Sequence, residues 1–141
     1  AGDAGAVTVR RRVAAWSWPS VSCAMATPAR PDRPLSVEEY LALEETSPVR
    51  HEYVAGAIYA MTGGTIRHDL VAGNVYAGLR AAASGEACRV FLGGVKVRVA
   101  DDKIYYPDVA VRCGPIDQRA VMTADPCVVV EVTSPSTRRV D

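Results

Sequence analysis

The feature that most constrains this chain is the apolar run at residues 128–132, Val-Val-Val-Glu-Val, close to its end. Consecutive valines lack the polar alternation of a half-exposed strand, so the strand that they favour must be buried on both faces. An acid inside such a strand has to be hydrogen-bonded, paired with a cationic side chain or bound to a metal ion. Asp108 follows Tyr-Tyr-Pro at 105–107 in the preceding apolar segment. The acids Asp108 and Glu131 on neighbouring strands therefore indicate a metal site.

The composition is typical of one soluble domain. The chain has 141 residues, 49% of them hydrophobic, and a formal net charge of zero. This length and hydrophobic content suffice for a buried core, while the balanced charge excludes a strongly basic surface and leaves nucleic-acid contact to a local patch. No segment approaches the roughly 20 apolar residues of a membrane helix. We therefore expect a cytoplasmic protein, and the many arginines beside only Lys96 and Lys103 are typical of GC-rich bacterial genomes.

The cysteines give no sign of a zinc site or a redox motif. They stand at positions 23, 88, 113 and 127, without a CxxC pair or a histidine at ligand spacing. Such spacing predicts buried, reduced thiols.

The order of local signals predicts an α/β (α+β) domain with a mixed β-sheet flanked by helices. Residues 1–34 are interpreted as a leader and Pro-rich extension without order, in which Met25 is the expected natural start, and residues 35–141 as the domain. Ser36 and Glu39 form a capping box that starts a helix ending at Pro48. A hairpin with its turn at 55–56 and a second helix over 66–83 follow. Further strands are expected at 89–92, 95–100, 104–112 and 127–133.

Side-chain alternation along these strands indicates which groups can meet. A three-residue loop at 101–103 would pair Lys96 with Asp108 on one face, whereas a two-residue loop would break this pairing. With the longer loop, one sheet face collects Lys96, Asp108 and Glu131. Two carboxylates suit Mg²⁺ or Mn²⁺, which activates water and neutralises charge on phosphate, and a lysine can orient that water. The alternative is structural: Asp108 caps a strand or turn, and Glu131 pairs with an arginine.

The chain also resembles a known family, the Uma-two branch of the PD-(D/E)xK nuclease superfamily, described as restriction endonucleases. The resemblance rests on His68 and on segments 34–41 (PLSVEEYL), 50–56 (RHEYVAG), 61–64 (MTGG), 106–109 (YPDV) and 130–137 (VEVTSPST). It implies a restriction-endonuclease-like core that hydrolyses nucleic-acid phosphodiesters, with DNA as the expected substrate and Mg²⁺ or Mn²⁺ as cofactor. It also implies that Asp108 and Glu131 are metal ligands and that Glu52 is an upstream acid completing the site. Many restriction-type nucleases cut two strands as dimers, so a homodimer is an expected partner state.

The chain departs from the superfamily motif at its lysine. Thr133 stands two residues after Glu131, where the motif has lysine, and a threonine cannot supply that charge. The resemblance implies that the catalytic lysine lies on a helix beyond Asp141, or that Lys96 takes its place. Lys103 is a weaker candidate for that substitution. His68 could contact phosphate or act as a base, or cap the second helix at the surface. A nuclease-derived binding module without catalysis is the alternative function.

Overall fold

The computed structural model describes residues 6–11, 33–83, 85 and 87–133. Over these residues the fold is a mixed α+β arrangement of two helices and two sheets, which confirms the predicted fold class. The helices are α1 (Val37–Thr46) and α2 (Ile66–Ala82). The strands are β1 (Ala6–Arg11), β2 (His51–Val54), β3 (Ala57–Ala60), β4 (Cys88–Leu92), β5 (Lys96–Ala100), β6 (Lys103–Tyr105), β7 (Val109–Cys113), β8 (Met122–Ala124) and β9 (Val128–Thr133).

The strands divide into two sheets rather than forming one. The first sheet has the order β1-β9-β7-β4 and is antiparallel throughout, and the second has the order β3-β2-β6-β5-β8, in which only β8 runs parallel to its neighbour. The prediction of a single strand over 104–112 is therefore wrong. The chain leaves the second sheet after Tyr105 and enters the first at Val109. Pro107 explains the break, because proline has no N–H to donate to a strand ladder.

Both helices begin at side-chain caps that the sequence contains. Ser36 Oγ accepts a hydrogen bond from Glu39 N at 3.2 Å, and Glu39 Oε2 accepts one from Ser36 N at 2.8 Å, which confirms the capping box. At α2, Thr65 Oγ1 accepts from His68 N at 3.2 Å. This second cap places His68 in the first turn of α2, which contacts β4, β7 and β9 of the first sheet.

Each sheet contributes a buried apolar cluster. In the second sheet, Tyr53, Ile58 and Ile104 pack with Tyr40 of α1, which has no exposed surface. In the first sheet, Val109 of β7 and Val130 of β9 are both fully buried and directly paired. The valine run is thus a two-sided buried strand, as its composition predicted.

The structure corrects the two expectations about cysteines and about the N-terminal segment. Cys88 and Cys113 form a disulfide between β4 and β7, so the prediction of reduced thiols is wrong for this pair. Cys127 is a partly buried free thiol, and Cys23 lies outside the described residues.

Within the extension expected to lack order, residues 6–11 form β1, paired with β9. Ordering of that segment depends on pairing with a strand more than a hundred residues away, which local composition cannot reveal.

No helix in the described part of the chain has the length and apolar character needed to cross a membrane.

Candidate functional site

Asp108 occupies the point where the chain passes from the second sheet to the first. Its Oδ2 accepts a hydrogen bond from Val132 N of β9 at 2.6 Å, and its carbonyl accepts one from Gly93 N at 3.0 Å. The β7–β9 ladder ends with Val109 opposite Val130, so one further step places Asp108 beside Glu131. The capping role left open by the sequence is therefore real, since Asp108 caps the β9 backbone next to the second acid.

Glu52 approaches the same crossing from the second sheet. It lies on β2, and its Oε1 accepts a hydrogen bond from Tyr106 N at 3.4 Å. Burial raises the pKa of Glu52, the Tyr106 N–H opposes that rise, and the negative charge of Asp108 adds to it. The charges of Glu52 and Asp108 are thus close enough to repel.

Tyr105 connects Glu52 electrostatically with Glu131. Burial raises the pKa of Tyr105 to about 12, and the negative charges of Glu52, Asp102 and Glu131 contribute to the rise together with Tyr59. The Tyr105 phenol is therefore within electrostatic range of both carboxylates. The acids predicted to bind metal therefore come from β2, β9 and the crossing between β6 and β7.

His68 reaches Asp108 from the first turn of α2. Its Nε2 lies 3.2 Å from Asp108 Oδ2, and its buried Nδ1 has no hydrogen-bond partner among the residues that the structure describes. Gly64 allows the close approach, because a Cβ at that position would lie 2.9 Å from His68 Nδ1. The imidazole is thus packed into the site and not confined to a surface cap.

Lys96 does not pair with Asp108, so that prediction is wrong. The β5–β6 turn has two residues, with Ala100 opposite Lys103, and a β-bulge then places Val97 opposite Tyr105. The next step of this register sets Lys96 beside Tyr106, and its Nζ lies 5.8 Å from the Tyr106 ring centroid. The two-residue turn and the bulge each shift the register by one residue, and together they move the partner of Lys96 from Asp108 to Tyr106.

Sequence reasoning missed a polar network behind the site, centred on Glu44 of α1. The Glu44 side chain is only 2% exposed. Its Oε1 accepts from His51 N at 3.0 Å and lies 2.8 Å from His51 Nδ1, while its Oε2 accepts from Tyr106 Oη at 2.8 Å. Tyr40 Oη donates to the carbonyl of His51 at 2.7 Å. The available signal was the position of Glu44, an acid at the helical spacing of the buried face of α1.

Tyr106 joins this network to the site. Burial raises the pKa of Tyr106, the hydrogen bond to Glu44 adds to the rise, and the nearby guanidinium of Arg50 opposes it. The Arg50 guanidinium carbon lies 5.6 Å from the ring centroid, and Arg50 Nη1 donates to the carbonyl of Gly93 at 3.0 Å. Two cations, Arg50 and Lys96, thus approach the ring of Tyr106, whose backbone N–H holds Glu52.

The donor chemistry of these acids suits a hard divalent cation, although the ligands are not preassembled. Asp108 Oδ2 has two partners, whereas Oδ1 makes no hydrogen bond to any residue that the structure describes. Carboxylate oxygens are the ligands that Mg²⁺ and Mn²⁺ prefer. Among the described residues, no group of three or more His, Cys, Asp or Glu side chains is clustered as a metal site.

Comparison with known proteins identifies the family. The sequence model of the Uma2 family, described as "Putative restriction endonuclease", matches residues 37–141. The "Uncharacterized protein slr1290" of Synechocystis sp. is 37% identical over 117 residues, which cover 82% of this chain and 62% of that protein. The chain thus spans less than two thirds of the length of that relative. No solved structure matches the present chain. On the family match over residues 37–141, this chain belongs to the Uma2 family.

Proposed function

We propose that this protein is a metal-dependent endonuclease that hydrolyses phosphodiester bonds in DNA. The observation that carries the proposal is the meeting at residues 106–108 of acids from both sheets. Asp108 is held against β9 beside Glu131, and Glu52 is held by the N–H of Tyr106. Family membership supports nuclease chemistry at this place.

In this proposal, Asp108, Glu131 and Glu52 are the metal ligands. Oδ1 of Asp108 is the oxygen available to the cation, because Oδ2 accepts a hydrogen bond from Val132 N and contacts His68 Nε2. Burial and, to a smaller extent, the charge of Asp108 raise the pKa of Glu52, so an ionised Glu52 beside Asp108 carries a free-energy cost that a bound cation offsets. A bound Mg²⁺ or Mn²⁺ ion supplies charge neutralisation at the scissile phosphate and a more acidic water.

The cationic side chains near the crossing complete the proposed site. Lys96 approaches Tyr106 rather than Asp108, and we assign it the phosphate-binding role of the missing motif lysine. His68 lies 3.2 Å from Asp108, where it can contact a phosphate oxygen or steady the carboxylate. Cleavage of both strands of a duplex would require two copies of the site, so a homodimer remains part of the proposal.

The experiment that tests this function is DNA cleavage with Mg²⁺ or Mn²⁺, using supercoiled plasmid and labelled oligonucleotides of DNA and RNA. Asp108→Asn and Glu131→Gln should each lower the cleavage rate by at least about a hundredfold, since the cation contributes several kcal/mol of charge stabilisation. Asp101→Asn is the matched control, because Asp101 is a fully exposed turn acid. Cleavage that persists in both site variants would refute the assignment.

A nuclease-derived binding module is the second candidate function. Thr133 at the motif lysine position and the lack of a clustered ligand group among the described residues favour it. A binding module predicts DNA binding that is the same with EDTA as with Mg²⁺ and is accompanied by no cleavage. Cation-dependent binding that disappears in Asp108→Asn would exclude it in favour of the nuclease.

A further inference from the structure

The side of α2 that faces away from the first sheet carries exposed apolar side chains. Ile66 is 82% exposed and Leu70 is 63% exposed. The other side of the helix, which includes the buried Ala72, packs on β4, β7 and β9. Two large apolar side chains one turn apart are thus left in water on a helix whose remaining apolar surface is covered.

These two residues begin a continuous outer face of α2. Its members recur at spacings of four and three residues, which places them on one side of the helix. The outer face of α2 consists of Ile66, Leu70, Gly73, Ala77 and Ala81. All of them are exposed except Gly73, which is half-buried. The large side chains occupy the first half of this face, and the small residues occupy the second half.

The glycines of α2 are not required by the fold of the described residues. Gly73 and Gly78 lie inside the helix, and neither has a positive φ. A Cβ added at either position would meet no atom within 4 Å. Glycine destabilises a helix interior relative to alanine, and its use there is to let another backbone approach closely. An open glycine in the middle of the outer face of α2 therefore indicates a second helix packed against it.

The outer face of α2 is complementary to a second copy of itself. We consider two α2 helices packed antiparallel about a two-fold axis that passes between positions 73 and 74. Ile66 then lies opposite Ala81 of the second copy, and Leu70 lies opposite Ala77 of the second copy. Each large side chain meets a small one, and the helices approach most closely at Gly73. A two-fold dimer requires this kind of self-complementary surface.

The charged residues beside this face also match in the antiparallel arrangement. Asp69 and Arg80 lie on the same edge of the outer face, in the first and last turns of α2. The Asp69 side chain is 80% exposed and its Oδ1 lies 3.6 Å from His68 Nδ1, while Arg80 is exposed and forms no ion pair with any residue that the structure describes. Antiparallel packing brings Asp69 beside Arg80 of the second copy, and symmetry repeats the pair. Parallel packing would instead bring like charges together.

We propose that the outer face of α2 is the interface of an antiparallel two-fold homodimer of this chain. The contact is limited to one helix from each copy, which is smaller than a standard protein–protein interface, so the dimer should dissociate in the micromolar range. The proposal gives a surface to the homodimer included in the proposed function. Its argument uses none of the acids proposed to bind metal.

Sedimentation equilibrium of the full chain in EDTA, without DNA, tests the proposal. The wild type should pass from monomer to dimer between about 1 and 300 µM. Leu70→Gln should weaken association by at least about tenfold, because each copy loses a leucine that the dimer buries. Val121→Gln is the matched control and should leave association unchanged, since Val121 is 72% exposed but lies outside α2.

Two further substitutions test the close approach and the direction of the helices. Gly73→Ala should raise the urea midpoint of the dilute monomer, because alanine favours a helix, and should weaken association by at least about tenfold, because the added methyl groups separate the helices. Asp69→Arg should weaken association by about threefold to tenfold through like charges. Adding Arg80→Asp to this variant should restore association to within about twofold of the wild type.

The proposal is overturned if the folded wild type stays monomeric, if Val121→Gln weakens association as much as Leu70→Gln, or if the double charge exchange fails to restore association. If another segment of the same chain covers the outer face of α2, the protein stays monomeric and Leu70→Gln unfolds at lower urea than the wild type. Because the measurement contains no cation and no DNA, failure here leaves the proposed cleavage to its own test. Failure of cleavage likewise leaves the dimer to this one.

Discussion

Tyr106→Phe removes one hydroxyl from the network behind the candidate site and leaves the ring in place. The lost group is the donor to Glu44 Oε2 at 2.8 Å. The contacts that depend on the ring should persist, since the cationic groups of Arg50 and Lys96 lie 5.6 Å and 5.8 Å from its centroid. The backbone N–H that reaches Glu52 is also unaffected. The substitution also removes the hydrogen bond between the Tyr106 and Tyr40 hydroxyls, which Tyr40→Phe removes as well, so the comparison of the two variants isolates the bond to Glu44.

The expected cost follows from the environment of Glu44. Its side chain is 2% exposed, and His51 engages only Oε1, so Oε2 would lose its partner where water has little access. Hydrogen bonds to charged groups contribute about 1.5 to 3 kcal/mol, whereas neutral ones contribute about 0.5 to 1.5 kcal/mol. Tyr40→Phe removes only neutral bonds, one from Tyr40 Oη to the carbonyl of His51 at 2.7 Å and the one shared with the Tyr106 hydroxyl. Tyr106→Phe should thus destabilise the protein by about 2 kcal/mol, more than Tyr40→Phe does.

Urea unfolding at pH 7, followed by circular dichroism, measures this difference. Each variant should shift the midpoint without changing the slope, because the surface exposed on unfolding is nearly the same. Tyr76→Phe is the control, since the Tyr76 hydroxyl makes no hydrogen bond within the described residues, and its cost should stay within about 0.5 kcal/mol. If Tyr106→Phe costs no more than Tyr40→Phe, the claim that Glu44 is a buried charged acceptor is wrong.

Further predictions concern other parts of the fold. Glu52→Gln should unfold at higher urea than the wild type at pH 7, because burial and Asp108 raise the pKa of Glu52. The folded carboxyl binds protons more tightly than the unfolded one, so wild-type stability falls as pH rises through the raised pKa, and the advantage of the variant should shrink toward pH 4. Gly56→Ala should cost at least about 1 to 2 kcal/mol because Gly56 has φ +86° and packs against the segment before α1, whereas Gly63→Ala, with open space around it, should be nearly neutral. Reducing the Cys88–Cys113 bond, which joins residues 25 apart, should lower the free energy of unfolding by about 3 kcal/mol in a melt with and without a dithiol.

Local signals predicted the parts of the fold that depend on neighbouring residues. The capping box at Ser36, the hairpin around Gly56 and the buried valine run are each determined within a few residues, and each is confirmed. The nearness of Asp108 and Glu131 was also predicted, from two acids placed in neighbouring apolar segments, although Asp108 was expected inside a strand and not after its end. These elements were enough to indicate a mixed α+β fold.

Long-range pairing determined what the sequence did not reveal. The short strand β8 joins β5 in parallel, and the disulfide between Cys88 and Cys113 depends on the β4–β7 register. The two-residue turn before β6 and the bulge in β5 each moved the partner of Lys96 by one residue, from the expected Asp108 to Tyr106. Pairing partners and bulges depend on packing between distant segments, so no local pattern encodes them.

The interruption at 106–108 both defeated the strand prediction and builds the candidate site. In one continuous strand, Tyr106 and Asp108 would project from the same face of one sheet, and neither could bridge two sheets. Because Pro107 ends the ladder, Tyr106 stays with the second sheet and holds Glu52, while Asp108 turns to the backbone of β9 beside Glu131. The distance between Glu52 of the second sheet and the acids of the first is therefore set by the three consecutive residues 106–108. Glu44 fixes the position of Tyr106 by accepting a hydrogen bond from the Tyr106 hydroxyl. The break removes hydrogen bonds between strands, but the carboxylates of Glu52 and Asp108 accept hydrogen bonds from the backbone N–H groups of Tyr106 and Val132 in their place. These replacement bonds bring Glu52, Asp108 and Glu131 together.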